Sequence, residues 1–214
     1  MSDRQLTLSP RELYCLGDVL NAKYIDYAYI AALDDIGQDF DLFRRETLAS
    51  LSSKSVLLED FGGDMEMNAD YLPLLEPIFF GTVETSLDVC IIGDTVTVDI
   101  YKFHFYRDRI TMVKAQDDML LLKEVALDEV KDVVKALVPE GYAYVSGERV
   151  KGIENEKVTR LFAAKNIELS VTSNIRTFIE VDGVISIEKE GEMLESLSAE
   201  DFVSAVFDIV KGAL

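Results

Sequence analysis

The sequence contains few of the residues that react through sulfur or imidazole. Its 214 residues include two cysteines, one histidine and no tryptophan. Cys15 falls in a predicted helix and Cys90 in a predicted strand, and there is no CxxC motif and no ligand cluster around His104. No metal site is predicted from these residues, and both cysteines are predicted to be buried free thiols.

Long hydrophobic runs are also missing. The longest runs, such as residues 119–122 and 89–92, are far shorter than the roughly 20 residues that a membrane-spanning helix needs. The opening residues, MSDRQLTLSPREL, lack the basic and apolar regions of a signal peptide. The protein is therefore expected to be cytoplasmic and not to insert into a membrane.

The sequence carries no GxSxG motif, no glycine-rich phosphate loop and no HExxH motif. His104 lies in the predicted strand YKFHFY without a cysteine or serine motif nearby, which favours a structural histidine over a catalytic one. We therefore expect that the protein is not an enzyme, with no catalytic residue, cofactor or metal.

The charge of the chain is strongly one-sided. Forty acidic residues against 21 basic ones give a net charge of −19. Such a charge repels nucleic acid and anionic membrane surfaces. It is typical of a well-solvated surface, and if it serves binding, it favours a basic or apolar protein partner.

The segment EDFGGDMEMNAD, residues 59–70, can be interpreted in two ways. Its alternate oxygen-bearing side chains, from Asp64 onward, resemble a calcium-binding loop. Such a loop needs glycine at its sixth position and glutamate at its twelfth, where this sequence has Ala69 and Leu75. The pair Gly62-Gly63 instead favours a tight turn between two short strands, so a β-hairpin is predicted.

Helices are predicted on both sides of this hairpin. Ser9, Pro10 and Glu12 form a capping box with proline at the first helical position, so a helix is predicted to begin there and to end near residue 21. A second helix is predicted from Asp39, with a buried side made of Phe40, Phe43, Leu48 and Leu51. After the hairpin, a short helix capped by Asp70 is predicted over residues 71–76.

The rest of the chain alternates strands and helices. From residue 82 to residue 125 the hydrophobic period of two predicts an antiparallel meander of about four strands, followed by a helix over residues 127–138. A further helix is predicted over residues 158–165, then a hairpin turning at Asp182-Gly183, then a final helix capped by Ser198. The fold class is α+β, an antiparallel sheet flanked by helices, with two pseudo-symmetric halves over residues 1–126 and 127–214.

One strand of the meander is a candidate binding surface. Its first part has apolar residues at even positions and its end has Tyr101, Phe103 and Phe105 at odd ones, so both sheet faces carry apolar side chains. If helices cover one face, the other can hold a partner, and Arg107 and Arg109 in the next turn can pair with acids of that partner. The alternative is that both faces are covered within the chain, or that a bulge changes the register.

The order of these elements resembles a known family. The LSPREL helix, the segment VLLEDFGGDMEMNADYLPLLEPI, the meander and the final LSAEDFVSAVFDIV helix are similar to EspG-like and EsaE-like cytosolic chaperones of bacterial type VII secretion. The resemblance implies two pseudo-symmetric α+β halves around a central sheet. It also implies a chaperone that keeps helical secretion substrates, of the WXG100 or LXG type, soluble for export.

Two other functions remain open at this point. A compact, acidic chain is also typical of an immunity protein, which binds and neutralises a secreted basic toxin. An enzyme or small-molecule carrier would instead hold its ligand in a closed pocket.

Overall fold

A computed structural model describes residues 4–31, 33, 39–142, 149–151, 157–189 and 193–214 of the chain. The helices within these residues are α1 (Pro10–Val19), α2 (Tyr27–Ile30), α3 (Phe40–Ser53), α4 (Leu72–Phe80), α5 (Leu127–Lys135) and α6 (Ala199–Lys211). The strands are β1 (Gln5–Leu8), β2 (Leu57–Glu59), β3 (Met65–Met67), β4 (Val83–Ile92), β5 (Val96–Tyr106), β6 (Arg109–Gln116), β7 (Met119–Glu124), β8 (Arg149–Lys151), β9 (Val158–Glu168), β10 (Val171–Val181), β11 (Val184–Lys189) and β12 (Met193–Ser196).

The described strands form one large sheet and one separate hairpin. The large sheet has the order β1-β7-β6-β5-β4-β9-β10-β11-β12-β8, and β2 pairs only with β3. The pairs with a defined register are antiparallel. The predicted α+β class, an antiparallel sheet flanked by helices, is confirmed, and so is the helix-hairpin-helix order of α3, β2-β3 and α4.

The chain forms two compact units. The first contains Met1–Thr82 and His104–Glu124, and the second contains Val83–Phe103 and Val125–Leu214. The pseudo-symmetry of two halves divided near residue 126 stays a prediction. Within the described residues, no helix is both long enough and apolar enough to cross a membrane.

In the first unit, helices pack on strands around one hydrophobic cluster. The capping box predicted at Ser9 is present: the Glu12 backbone N–H donates to Ser9 Oγ at 3.2 Å, and the Ser9 N–H donates to the Glu12 carboxylate at 2.7 Å. This box sets the start of α1, which buries Leu13 and Leu16. The core of this unit includes Leu8, Leu13, Leu16, Phe43, Leu51, Leu57, Leu74, Leu75 and Leu122.

The segment that resembled a calcium loop is a hairpin. Asp60 Oδ1 accepts hydrogen bonds from the backbone N–H groups of Gly62 and Asp64, both at 2.8 Å, and Gly63 has φ +88°. An aspartate that binds backbone groups two residues on stabilises a turn. The hairpin interpretation is confirmed.

Several local predictions are wrong. The helix expected at residues 158–165 is the strand β9, which pairs with β4 on one side and β10 on the other. The strand β1, which pairs with β7, was not predicted. Phe40 is 45% exposed, so it does not belong to the buried side of α3. Asn68, in place of Asp70, caps the turn before α4, and Cys90 is partly exposed whereas Cys15 is buried.

Candidate partner-binding face

The sheet of the second unit has one face that is covered by α6. The ring of Phe202 lies 5.1 Å, centroid to centroid, from both Phe162 on β9 and Phe178 on β10. Farther along β9, the Asn166 side chain donates to the backbone carbonyl of Ile209 at 3.0 Å. Since side chains alternate along a strand, the even-numbered residues of β9 all lie on this side.

The helix α5 lies on the same side of the sheet. Arg160, another even-numbered residue of β9, donates to the carbonyl of Leu137, just beyond the end of α5, at 2.9 Å. Lys131 of α5 places its ammonium group 4.4 Å from the centre of the Phe207 ring of α6. In the described part of the second unit, neither helix therefore covers the opposite face.

We call this opposite side the open face, and the strand register shows which side chains form it. Cys90, Leu161 and Ile179 lie opposite one another on β4, β9 and β10, and Asp88, Ala163 and Thr177 form the next row. Thr177 is exposed, and the other five side chains are partly exposed. The open face therefore joins a row of apolar side chains to a more polar row.

On the same side of the sheet, toward the start of β4, the open face ends and the side chains become buried and form ion pairs. Lys165 Nζ lies 2.7 Å from Asp88 Oδ2, and Ser86 Oγ donates to the other oxygen of the same carboxylate. Next to them, Lys102 Nζ of β5 lies 2.8 Å from Glu84 Oε1, and both side chains are only 9% exposed.

Burial shifts the pKa values of both Glu84 and Lys102. Desolvation raises the pKa of Glu84 to about 7, even though the nearby charge of Lys165 favours the carboxylate. Desolvation also lowers the pKa of Lys102 to about 8, and repulsion by Lys165 adds to that effect. This pair was not predicted from the sequence, although the polar residues at alternate positions of β4 are a signal for it.

The three aromatic residues predicted to bind a partner are buried. Tyr101 is 9%, Phe103 0% and Phe105 7% exposed. Alternation along β5 places Tyr101 and Phe103 on the side opposite to Lys102, away from the open face. The isolated chain therefore does not present these rings at its surface, and their role in partner binding stays a prediction.

The two predicted arginines have partners within the first unit. Arg107 adopts φ +56° in the turn between β5 and β6, and its guanidinium lies 5.0 Å from the centre of the Tyr106 ring. Arg109 forms an ion pair with Glu76 on α4. Their contact with a partner's acids likewise stays a prediction.

His104 is buried in the first unit. Its Nε2 atom and the hydroxyl of Tyr29 lie 2.6 Å apart and share a hydrogen bond. Within the described residues, no three His, Cys, Asp or Glu side chains come together in a group that could hold a metal ion.

A comparison with solved structures finds a match over nearly the whole chain. The fold is shared with a secretion chaperone. One matching structure is that of the type VII secretion system chaperone EspG5 of Mycobacterium tuberculosis, solved in complex with a PE25–PPE41 dimer. The TM-score is 0.64 at 8% sequence identity, and the alignment covers 99% of this chain and 97% of EspG5. At this identity the match to EspG5 establishes the fold alone.

Comparisons of sequence add no further relative. No protein-family model matches this chain, and no curated protein matches it.

Proposed function

We propose that this protein is a cytosolic chaperone of a type VII secretion system, which binds helical secreted proteins and keeps them soluble until export. The observation that carries the proposal is the match to EspG5, whose structure was solved with a PE25–PPE41 dimer bound. Because the match extends over almost the full length of both chains, the two proteins share a whole architecture and not one common motif. From the family resemblance of the sequence, we further propose that the partners are proteins of the WXG100 or LXG type.

The charge and the open face suit such a carrier. A net charge of −19 keeps the chaperone soluble while part of its surface is apolar. The row formed by Cys90, Leu161 and Ile179 offers a partly exposed apolar strip, flanked by the charged pair of Asp88 and Lys165. Apolar area beside fixed charges gives a partner both affinity and orientation.

Release at the export machinery requires a reversible complex. The open face contributes short rows of partly exposed side chains, so the contact area is expected at the small end of protein interfaces. The proposal assigns no catalytic step, cofactor or metal to the chain.

The proposal is tested by purifying the tagged protein gently from its native host and identifying the bound proteins by mass spectrometry. We expect a helical secreted protein, or the helical end of a larger secreted protein. Ala163→Arg, which places a long charged side chain in the middle of the open face, is expected to reduce the recovered partner about tenfold or more.

The matched control is Ile91→Arg. Ile91 lies opposite Arg160, on the helix side of the sheet, and is 41% exposed, so the same new charge stands away from the open face. Recovery should equal that of the unchanged protein. A partner consisting only of a toxin domain would contradict the chaperone function and support an immunity protein. Equal loss in both variants would contradict the assignment to the open face.

A further inference from the structure

Within the residues that the structure describes, the outer edge of strand β10 pairs with another strand along less than half of its length. β10 pairs with β9 from Val171 to Val181, but β11 pairs only with Phe178–Val181. All seven side chains of residues 171–177 are exposed. In the described part of the chain, these residues therefore present backbone N–H and C=O groups to solvent, an arrangement that templates pairing with another strand.

This edge differs from the rest of the chain in composition. No acidic residue occurs between Glu168 and Glu180, although 40 of the 214 residues are acidic. Leu169, Val171 and Ile175 are exposed to 61%, 68% and 61%. An edge of this kind is commonly protected by a proline or an outward-pointing lysine, and this stretch contains neither.

Two local features shorten the length over which this edge can pair with another strand, but neither blocks pairing. Arg176, the one charged residue of the stretch, donates to the carbonyl of Ala205 on α6 at 3.3 Å, so its charge points along the protein's own surface. A bulge lies between Ser173 and Arg176, where Asn174 has φ +50°. A bulge increases the local twist, so that a partner strand can pair over a short length only.

We propose that this edge pairs with the same edge of a second copy of the chain, in a symmetric antiparallel dimer. Two chains that each carry a charge of −19 repel over most of their surface. Because residues 169–179 contain no carboxylate, this strand adds no like-charge repulsion of its own where two copies meet. Apolar side chains at Val171 and Ile175 then lie on both sides of a self-complementary contact, as a twofold interface requires.

The length of the edge sets the strength of the dimer. Seven residues at about 3.3 Å each give a contact roughly 23 Å long, which places it among the small and reversible interfaces. Because repulsion between the two charged bodies opposes association, added salt strengthens the dimer. A dimer held by ion pairs would be weakened by salt. A dimer that salt strengthens is therefore evidence for edge pairing.

The test is sedimentation equilibrium of the purified protein over a range of concentrations at low and high salt. We expect the average mass to rise toward twice that of one chain, and to rise at lower protein concentration when salt is added. Protein that stays monomeric under all these conditions would overturn the proposal, and the edge would then be free for an extended segment of another protein.

Variants locate the contact. Val171→Lys with Ile175→Lys places two charges on the edge, as natural edge strands do, and should raise the dissociation constant about tenfold or more. The control is Val96→Lys, at a position that is 64% exposed on β5. If the paired substitution disturbs folding, as judged by thermal unfolding, Val171→Lys alone replaces it. A dimer that survives the edge substitutions, or that Val96→Lys weakens equally, would overturn the assignment.

Discussion

Removal of the Lys102 side chain is the sharpest test of the charge arrangement in the second unit. The ammonium group lies 2.8 Å from Glu84, and both side chains are 9% exposed. Lys102→Met keeps most of the apolar volume and takes away the charge. The Glu84 carboxyl then stays buried, with the more exposed Lys165 as a neighbouring cation.

The expected loss follows from the cost of an unpaired buried carboxylate. Breaking a buried pair on one side costs about 3–5 kcal/mol, unless the remaining group takes up a proton. Because the pKa of Glu84 is already about 7 in the folded protein, protonating its carboxyl at pH 7.5 costs less than about 1 kcal/mol. We therefore expect Lys102→Met to lower the free energy of unfolding by only about 1 kcal/mol at that pH, since proton uptake by Glu84 limits the loss.

The loss should depend on pH with a definite sign. In both folded proteins the pKa of Glu84 lies above its unfolded value: it is about 7 in the unchanged protein and higher in the variant, which lacks the Lys102 charge. The stability of the variant relative to the unchanged protein therefore falls only as the pH rises above about 7. At pH 5.5 Glu84 is protonated in both folded proteins, so the part of the difference that depends on its charge should disappear.

The assay is denaturant unfolding of both proteins at the two pH values, with the double variant Glu84→Gln, Lys102→Met as the control. The double variant holds no buried charge at this place and should recover most of the stability at pH 7.5. A loss that is equal at both pH values, or one of about 3–5 kcal/mol at pH 7.5, would refute the argument that desolvation raises the pKa of Glu84.

Two further predictions concern packing. Phe103→Ala should reduce the free energy of unfolding by about 3–5 kcal/mol because the ring is 0% exposed. The control Phe61→Ala, at a fully exposed hairpin tip, should change it by less than about 0.5 kcal/mol. Chemical denaturation measures both values, and equal effects would contradict the burial of Phe103. Gly81→Ala should lower the free energy of unfolding by about 2 kcal/mol or more in the same assay, because the added Cβ collides with the backbone carbonyl oxygens of Phe105 and Pro77. An unchanged denaturation midpoint would show that the backbone shifts to make room for the methyl group.

Local signals in the sequence predicted the turns and caps well. The capping box at Ser9, the turn at Asp182-Gly183 and the cap at Ser198 are present where the sequence indicated them. Each depends on a few neighbouring residues, so their chemistry can be recognised without knowing the fold. The class of the fold followed from these elements and from the change of hydrophobic period.

Strand β9 shows where local signals fail. Its residues Ala163, Ala164 and Lys165 favour a helix, and the spacing of its apolar residues fits either structure. The segment lies between β4 and β10, and pairing on both sides satisfies its backbone along most of its length. Tertiary pairing overrides a weak helical preference, and a single sequence does not reveal it.

The sequence indicated that one face of the sheet could bind a partner, but it did not identify the residues of that face. A sheet with one helix-covered face was one of the alternatives left open by the sequence, and in the second unit the helices α5 and α6 both lie on one face. The aromatic side chains at odd positions of β5 were assigned to a binding surface, whereas they are buried and the polar residues between them have buried partners. The partner of Lys102 lies on another strand and that of His104 on α2, so the pattern within β5 could not identify them.

The pairing of β1 with β7 has a consequence for synthesis of the chain. Gln5 lies opposite Lys123, so β1 finds its neighbouring strand only after the hairpin, α4 and the whole meander have been made. Contacts so distant in sequence form slowly and late. Until then, Leu6 and Leu8 of β1 lack the cover of β7 on the nascent chain, so this strand is a segment that needs protection during translation.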